Sequence, residues 1–175
     1  MSEPPDSPSR VPTLCPRSAA IDLSQFEIAH PNPFICDIHV DRHQIGNVIE
    51  HVSNIEYVRW LDRAAELHAD SLGYTRKWLL DNGIMWFVAR HEIDYLAEAW
   101  LGDELVIATW VRDFKKVKSW RDYVIARPSD GTVICRAATL WVLVDLESRR
   151  PRRIDEEMIR RFNPSSTAPS HPHAL

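Results

Sequence analysis

Cysteine is scarce in this chain, with three in 175 residues, at positions 15, 36 and 135. There is no C-x-x-C pair and no cysteine at ligand spacing from a histidine, which argues against a disulfide framework or a structural zinc site and fits reduced thiols in a cytoplasmic protein. Long apolar runs are also missing. The longest, AATLWVLV at 137–144, falls far short of the ~20 residues a membrane helix needs. The first twenty residues contain no apolar h-region, so a secretory signal is not expected. Neither sign of charge dominates: the net charge is −4 and the pI about 6.0, so nothing in the overall field calls for nucleic acid or an acidic membrane. The run RRPRR at 149–153 lies between a strand and a helix and reads as solvated surface. No internal repeat is visible. What is present is the composition of a soluble globule, 45% hydrophobic and 26% charged, long enough for one domain with a substantial core.

The prolines are unevenly spread, five of the twelve falling in residues 1–20 among serines and charges. Such a composition has too few apolar groups to offset the entropy of ordering. Residues 1–25 are therefore expected to be disordered, residues 26–162 to form the domain, and residues 163–175 to form a second disordered tail. His171 and His173 in that tail offer only two donors, too few for a metal site. Neither a metal nor an organic cofactor is expected.

Between the tails the periodicity is clear. Residues 33–41, PFICDIHVD, alternate and are rich in β-formers. Over 53–72 the period becomes helical, with Ile55, Val58, Leu61, Ala65, Ala69 and Leu72 predicted on one face and Glu56, Arg59, Arg63, Glu66 and Asp70 on the rest. Ser53 and Glu56 have the spacing of a capping box, and Gly73 supplies the stop. A short helical or irregular stretch at 75–82 leads into strands at 85–96, 104–114, 120–128 and 132–146, with PSDG as the tight turn between the last two. Residues 154–162 read as a terminal helix, acidic at its start and basic at its end. The order predicts an α+β fold with the four later strands in an antiparallel meander. So much apolar strand surface under one helix predicts an oligomer, with an edge strand paired across subunits.

Two segments carry a family resemblance. HVSNIEYVRWLDRAAE at 51–66 is similar to the H-V-N-N-x-x-Y-x-x-W-x-E-x-A-R of the hotdog-fold acyl thioesterases of the 4-hydroxybenzoyl-CoA thioesterase type, and EIDYLAEAWLGDELVIATWV at 92–111 resembles that family's x-Y-x-x-P-A-x-x-G-D-x-L run. The resemblance covers about residues 34–162. It implies a hotdog fold, a long central helix wrapped by a five-stranded antiparallel sheet, and hydrolysis of an acyl-CoA or acyl carrier protein thioester by a homodimer or homotetramer. A non-hydrolytic acyl-thioester binding protein is the alternative it leaves open.

Thioester hydrolysis needs a polarised carbonyl and an activated water. A helix start offers free N–H groups and the positive end of the dipole, so the amides of Asn54 and Ile55 are the candidate donors, with Tyr57 lining the pocket. The family's catalytic Asp aligns with Asn47, and its neighbouring Gly with Glu50. Asn cannot serve as a base. The candidates for the missing role are Asn47 as an orienting group, as the resemblance to enediyne-pathway thioesterases implies; His51 or Glu50 as base, His51 standing where plant acyl carrier protein thioesterases have a His; and Asp41 or His43 if the loop carries an insertion. Lys115, Lys116, Lys118 and Arg121 fall where the family binds the phosphates of CoA.

Overall fold

The computed structural model describes residues 14–46 and 49–164. Asn47 and the histidines of the C-terminal tail lie outside the described residues. Six strands form one antiparallel sheet: β1 (Leu14–Pro16), β2 (Phe34–His39), β3 (Ile84–Tyr95), β4 (Glu104–Lys115), β5 (Lys118–Arg127) and β6 (Thr132–Asp145). They lie in the order β1-β2-β4-β5-β6-β3. The helices are α1 (Asn54–Ser71), α2 (Arg76–Asp81) and α3 (Glu156–Phe162). Register shifts at Val88/Arg90, Val111/Asp113 and Ile125/Ala126 bend the sheet, as bulges do, so that it curls around α1. This is the hotdog layout that the motifs imply, with six strands instead of five.

The main core is the seam between α1 and the concave face. Tyr57, Trp60, Leu61 and Ala64 of the helix meet Cys36 and Ile38 of β2, Leu105 and Ile107 of β4, and Tyr123 and Ile125 of β5. The buried helix face is rotated from the predicted one: Ile55 is 56% exposed, whereas Glu56 is buried and pairs with Arg59. The capping box does not form. Ser53 accepts the Glu56 amide through its backbone carbonyl, not its side chain, because the Glu56 carboxylate is turned toward Arg59. Gly73 does end the helix, at a φ of +87° that only glycine adopts without strain.

Two expectations are corrected. The meander holds for β4, β5 and β6, but β3 pairs with β6 and not with β4. Residues 96–103 form a link across the end of the sheet, held to β6 by the Leu96 and Ala97 amides on the Ile134 carbonyl, so no tight turn joins β3 to β4. Part of the N-terminal segment assigned to disorder is also structured. Leu14–Pro16 pair with Cys36–Ile38, and Ile21, Leu23, Phe26 and Ile28 cover Val106, Trp110 and Val124 on the convex face. β4 is apolar on both faces, and this segment is what shields the outer one. At the far end the chain closes as α3 packs Met158 and Phe162 against Tyr74, Leu79, Val111 and Leu143. Asp155 caps α3 by accepting the Met158 amide at 2.7 Å. No helix among the described residues is long and apolar enough to cross a membrane.

Candidate active site

The start of α1 is held by backbone pairing. Ile45 bridges Val52, and His51 bridges Trp100 of the 96–103 link. The Val52 amide donates to Ala99, the Ser53 amide to Gln44, and the Gly46 amide to His51. These contacts fix the entry angle of the helix and use the amides up to Ser53. The next two, on Asn54 and Ile55, have no acceptor among the described residues. Both residues are exposed and open an 18-residue helix, whose positive end favours a ligand oxygen on its first N–H groups.

His51 stands three residues before Asn54, so its Cα lies within about 11 Å of that residue's. Its Nδ1 is 3.1 Å from Glu98 Oε1. A carboxylate only accepts, so Nδ1 carries the hydrogen and Nε2 presents a free lone pair. His51 is one-third exposed at its side chain and sits beside the Trp100 ring, 6.4 Å between centroids. Glu98 is held in turn: Arg127 donates from Nη2 to the Glu98 carbonyl at 2.9 Å and to Asp103 Oδ2 at 2.6 Å, and the Trp100 amide donates to Asp103 as well. Glu98, anchored through its backbone carbonyl, thus sets its carboxylate against an imidazole three residues ahead of the Asn54 amide.

The other predicted residues are distributed unequally. Tyr57 is buried against Trp60 and edge-on to Tyr95, both at 5.1 Å, and burial pushes its hydroxyl well above the ordinary range. Glu50 points outward to Arg42 at 3.3 Å, both largely exposed. Asp41 caps a single 3-10 turn that contains His43, accepting the Gln44 amide in a small capping box. The lysines are remote: Lys115, Lys116 and Lys118 form the β4–β5 hairpin. The helix start lies instead beside the opposite end of β4, whose 12 residues span about 40 Å. Arg121, grouped with those lysines by sequence, is 4% exposed and points inward.

Sequence reasoning missed Glu98 and Arg127. Glu98 lies 47 residues from His51, and only the folding of the 96–103 link back onto the helix start brings them together. Its sole signal was its place inside the second motif.

Residues 36–162 match the family model of the thioesterase-like superfamily. Over 102 residues the chain is 26% identical to a chloroplastic acyl-[acyl-carrier-protein] hydrolase of Cuphea viscosissima, an alignment covering 58% of this chain and 24% of that protein. The chain thus spans about a quarter of the length of that curated relative. Among solved structures, a Staphylococcus aureus protein in complex with CoA superposes with a TM-score of 0.73 at 18% identity, over 82% of this chain and 96% of that one. The 1,4-dihydroxy-2-naphthoyl-CoA thioesterase of Synechocystis superposes at 0.69 and 17% identity, over 75% and 96%. At these identities the superpositions speak for the hotdog fold, while the family match spans most of the chain, and on that match the protein belongs to the thioesterase-like superfamily.

Proposed function

We propose that this protein hydrolyses an acyl thioester, carried on CoA or an acyl carrier protein, to the free acid and thiol. The observation that carries the reading is the Glu98–His51 pair set beside the open amides of Asn54 and Ile55. In the proposed reaction the thioester oxygen accepts from those amides. His51 Nε2 takes a proton from water, and the resulting hydroxide attacks the carbonyl carbon. The oxyanion gathers its charge against the helix start. Collapse of the intermediate breaks the C–S bond, and the imidazolium gives its proton to the leaving sulfur, releasing thiol and acid and restoring neutral His51. Asn47 belongs to this scheme as an orienting group and Tyr57 as a wall of the pocket. The second reading, a protein that binds acyl thioesters without cleaving them, is favoured only by the Asn at the family's Asp position.

The working unit in this proposal is a homodimer, or a tetramer built from it, in the cytoplasm, where unpaired cysteines stay reduced. β3 is the free edge of the sheet, and Phe87, Val88, Tyr95, Leu96 and Trp100 expose apolar surface along or just beyond it. Antiparallel pairing of two such edges would set the Tyr95 end of one β3 against the Ile84 end of the other. The Ile84 end lies on the same side of the sheet as the Lys115–Lys118 hairpin. A partner's lysines would thereby approach the helix start that its own chain leaves them far from, where they could meet the phosphates of CoA or the acidic face of a carrier protein. Thiol release across short, long and aromatic acyl-CoAs tests the enzyme reading: turnover supports it, and acyl-CoA binding with no release from any of them establishes the binding-protein reading. Sedimentation showing a stable folded monomer at micromolar concentration would remove the shared site.

A further inference from the structure

A cavity of about 130 Å³ lies between the C-terminal half of α1 and the sheet, away from the helix start. It is close in size to the ~150 Å³ cavity that accepts benzene in a protein core. Its walls are largely aromatic and aliphatic, including Trp86, Phe114, Trp141 and Phe162. Arg121 also faces it, and this residue sets the cavity apart. The guanidinium is 4% exposed, and among the described residues it makes no ion pair. Its partners are neutral: Nη1 donates to His68 Nδ1 at 2.9 Å and to Thr109 Oγ1 at 3.2 Å, and the group lies 5.7 Å from the Phe162 ring centroid. His68 is itself uncharged, since burial and Arg121 hold its pKa down at about 3. The acids of the cavity, Asp62, Glu66 and Asp70, line the α1 side. Glu66 is engaged by Arg63 and Arg76, and none of the three forms an ion pair with Arg121.

A permanently charged fork held in an apolar pocket without a counterion is costly. Such an arrangement fits a ligand that brings the missing charge. We infer that this cavity binds a carboxylate borne on a small apolar body, the carboxylate docking on Arg121 and the body filling the aromatic pocket. Two sources supply that chemistry. One is a free organic acid, the product class of the proposed reaction. The other is the distal carboxylate of a long acyl thioester, which would have to run from the helix start to the level of His68, fourteen residues and about 21 Å along α1. The second source rests on the thioesterase reading, whereas the binding itself does not.

The direct test uses the full chain and fluorine NMR titration with 4-fluorobenzoate and its neutral isostere 4-fluorobenzyl alcohol. The benzoate should bind at least tenfold more tightly, and Arg121→Met should abolish that preference while the melting temperature stays level or rises, because a buried unpaired cation is exchanged for an apolar chain of similar length. Ala69→Leu, which fills the cavity but leaves Arg121 in place, should weaken both ligands and keeps the test open if the first variant fails to fold. Equal affinities, no binding of either compound, a preference that survives Arg121→Met, or binding unaffected by Ala69→Leu would each overturn the inference. The source is read separately. A KM for hexadecanedioyl-CoA below that for palmitoyl-CoA, lost in Arg121→Met, assigns the site to the substrate's far end; no such difference, with 4-fluorobenzoate still bound, assigns it to free acids. Thioesters left uncleaved while the benzoate binds would sink the enzyme reading alone.

Discussion

The two ends of α1 handle charge in opposite ways. At its start, His51 and Glu98 are paired and partly exposed, Glu98 being held by Arg127 at its carbonyl, and the amides of Asn54 and Ile55 have no acceptor among the described residues. Toward its end, buried Arg121 meets half-buried His68 with no opposite charge between them. The first arrangement orients a solvent-reached imidazole against a carboxylate. The second fixes a positive charge and suppresses protonation of the histidine beside it. One helix thus carries a site suited to proton transfer and a site suited to holding an anion, and the difference follows from solvent access and from which partner each histidine meets.

The comparison breaks most visibly at His51. As the general base, it should cost about 10²- to 10⁴-fold in thiol release when replaced by Ala, with the melting temperature little changed because the side chain is half-buried and contributes only a paired surface contact. Single-turnover kinetics reads the rate, and a full wild-type rate in His51→Ala would move the base elsewhere, with Glu50, Asp41 and His43 the next to test. Glu98 acts through His51, so Glu98→Ala should cost less, on the order of tenfold in kcat or about 1.4 kcal/mol, with KM nearly unchanged. Glu98→Gln keeps an acceptor for Nδ1–H and should recover part of that loss, which a purely structural role would not predict. Glu50→Gln, at a residue exposed and paired only with Arg42, should stay within about twofold of wild type.

The regular elements were legible because they are local. The period-two run of β2, the apolar spacing of α1 and the PSDG turn gave boundaries within two residues of those observed. The placement of β3 was not, because a chain that alternates correctly can join either neighbour. The sheet order is decided by residues 96–103, whose Ala99 and Trp100 serve the α1 start. The rotation of the helix face was hidden for a related reason: Glu56 is buried with Arg59 as its partner, and periodicity counts it as surface. His51 and the open amides were readable from one motif. Glu98 and the inward turn of Arg121 depend on contacts 47 and 53 residues apart, which no short pattern encodes. Composition misjudged the described part of residues 1–25 because its few apolar side chains, Leu14, Ile21 and Leu23, are enough to pack against the sheet.

A last test separates the two histidines through stability and not through rate. His68 is held at about 3 from an ordinary 6.5, chiefly by burial and then by Arg121. Above 6.5 it is neutral whether folded or unfolded and contributes nothing to the pH dependence. As the pH falls below that value the unfolded chain takes up a proton that the folded protein refuses until about 3. The unfolded state then binds more protons, so stability declines with falling pH across this window. Between pH 7 and pH 5 the loss from His68 should be about 2 kcal/mol, at ~1.4 kcal/mol per unit. Asp62 and Asp70 act with the opposite sign, since burial raises their carboxyls, so the absolute slope mixes several groups. His68→Asn removes the titration and retains an acceptor for Arg121. Comparing urea midpoints of the two proteins at pH 7 and pH 5 cancels the aspartates, which are common to both. The wild type should lose more stability than the variant over that interval; equal losses would mean that His68 protonates readily in the folded state, and that the Arg121 end of the helix is wetter than its burial implies.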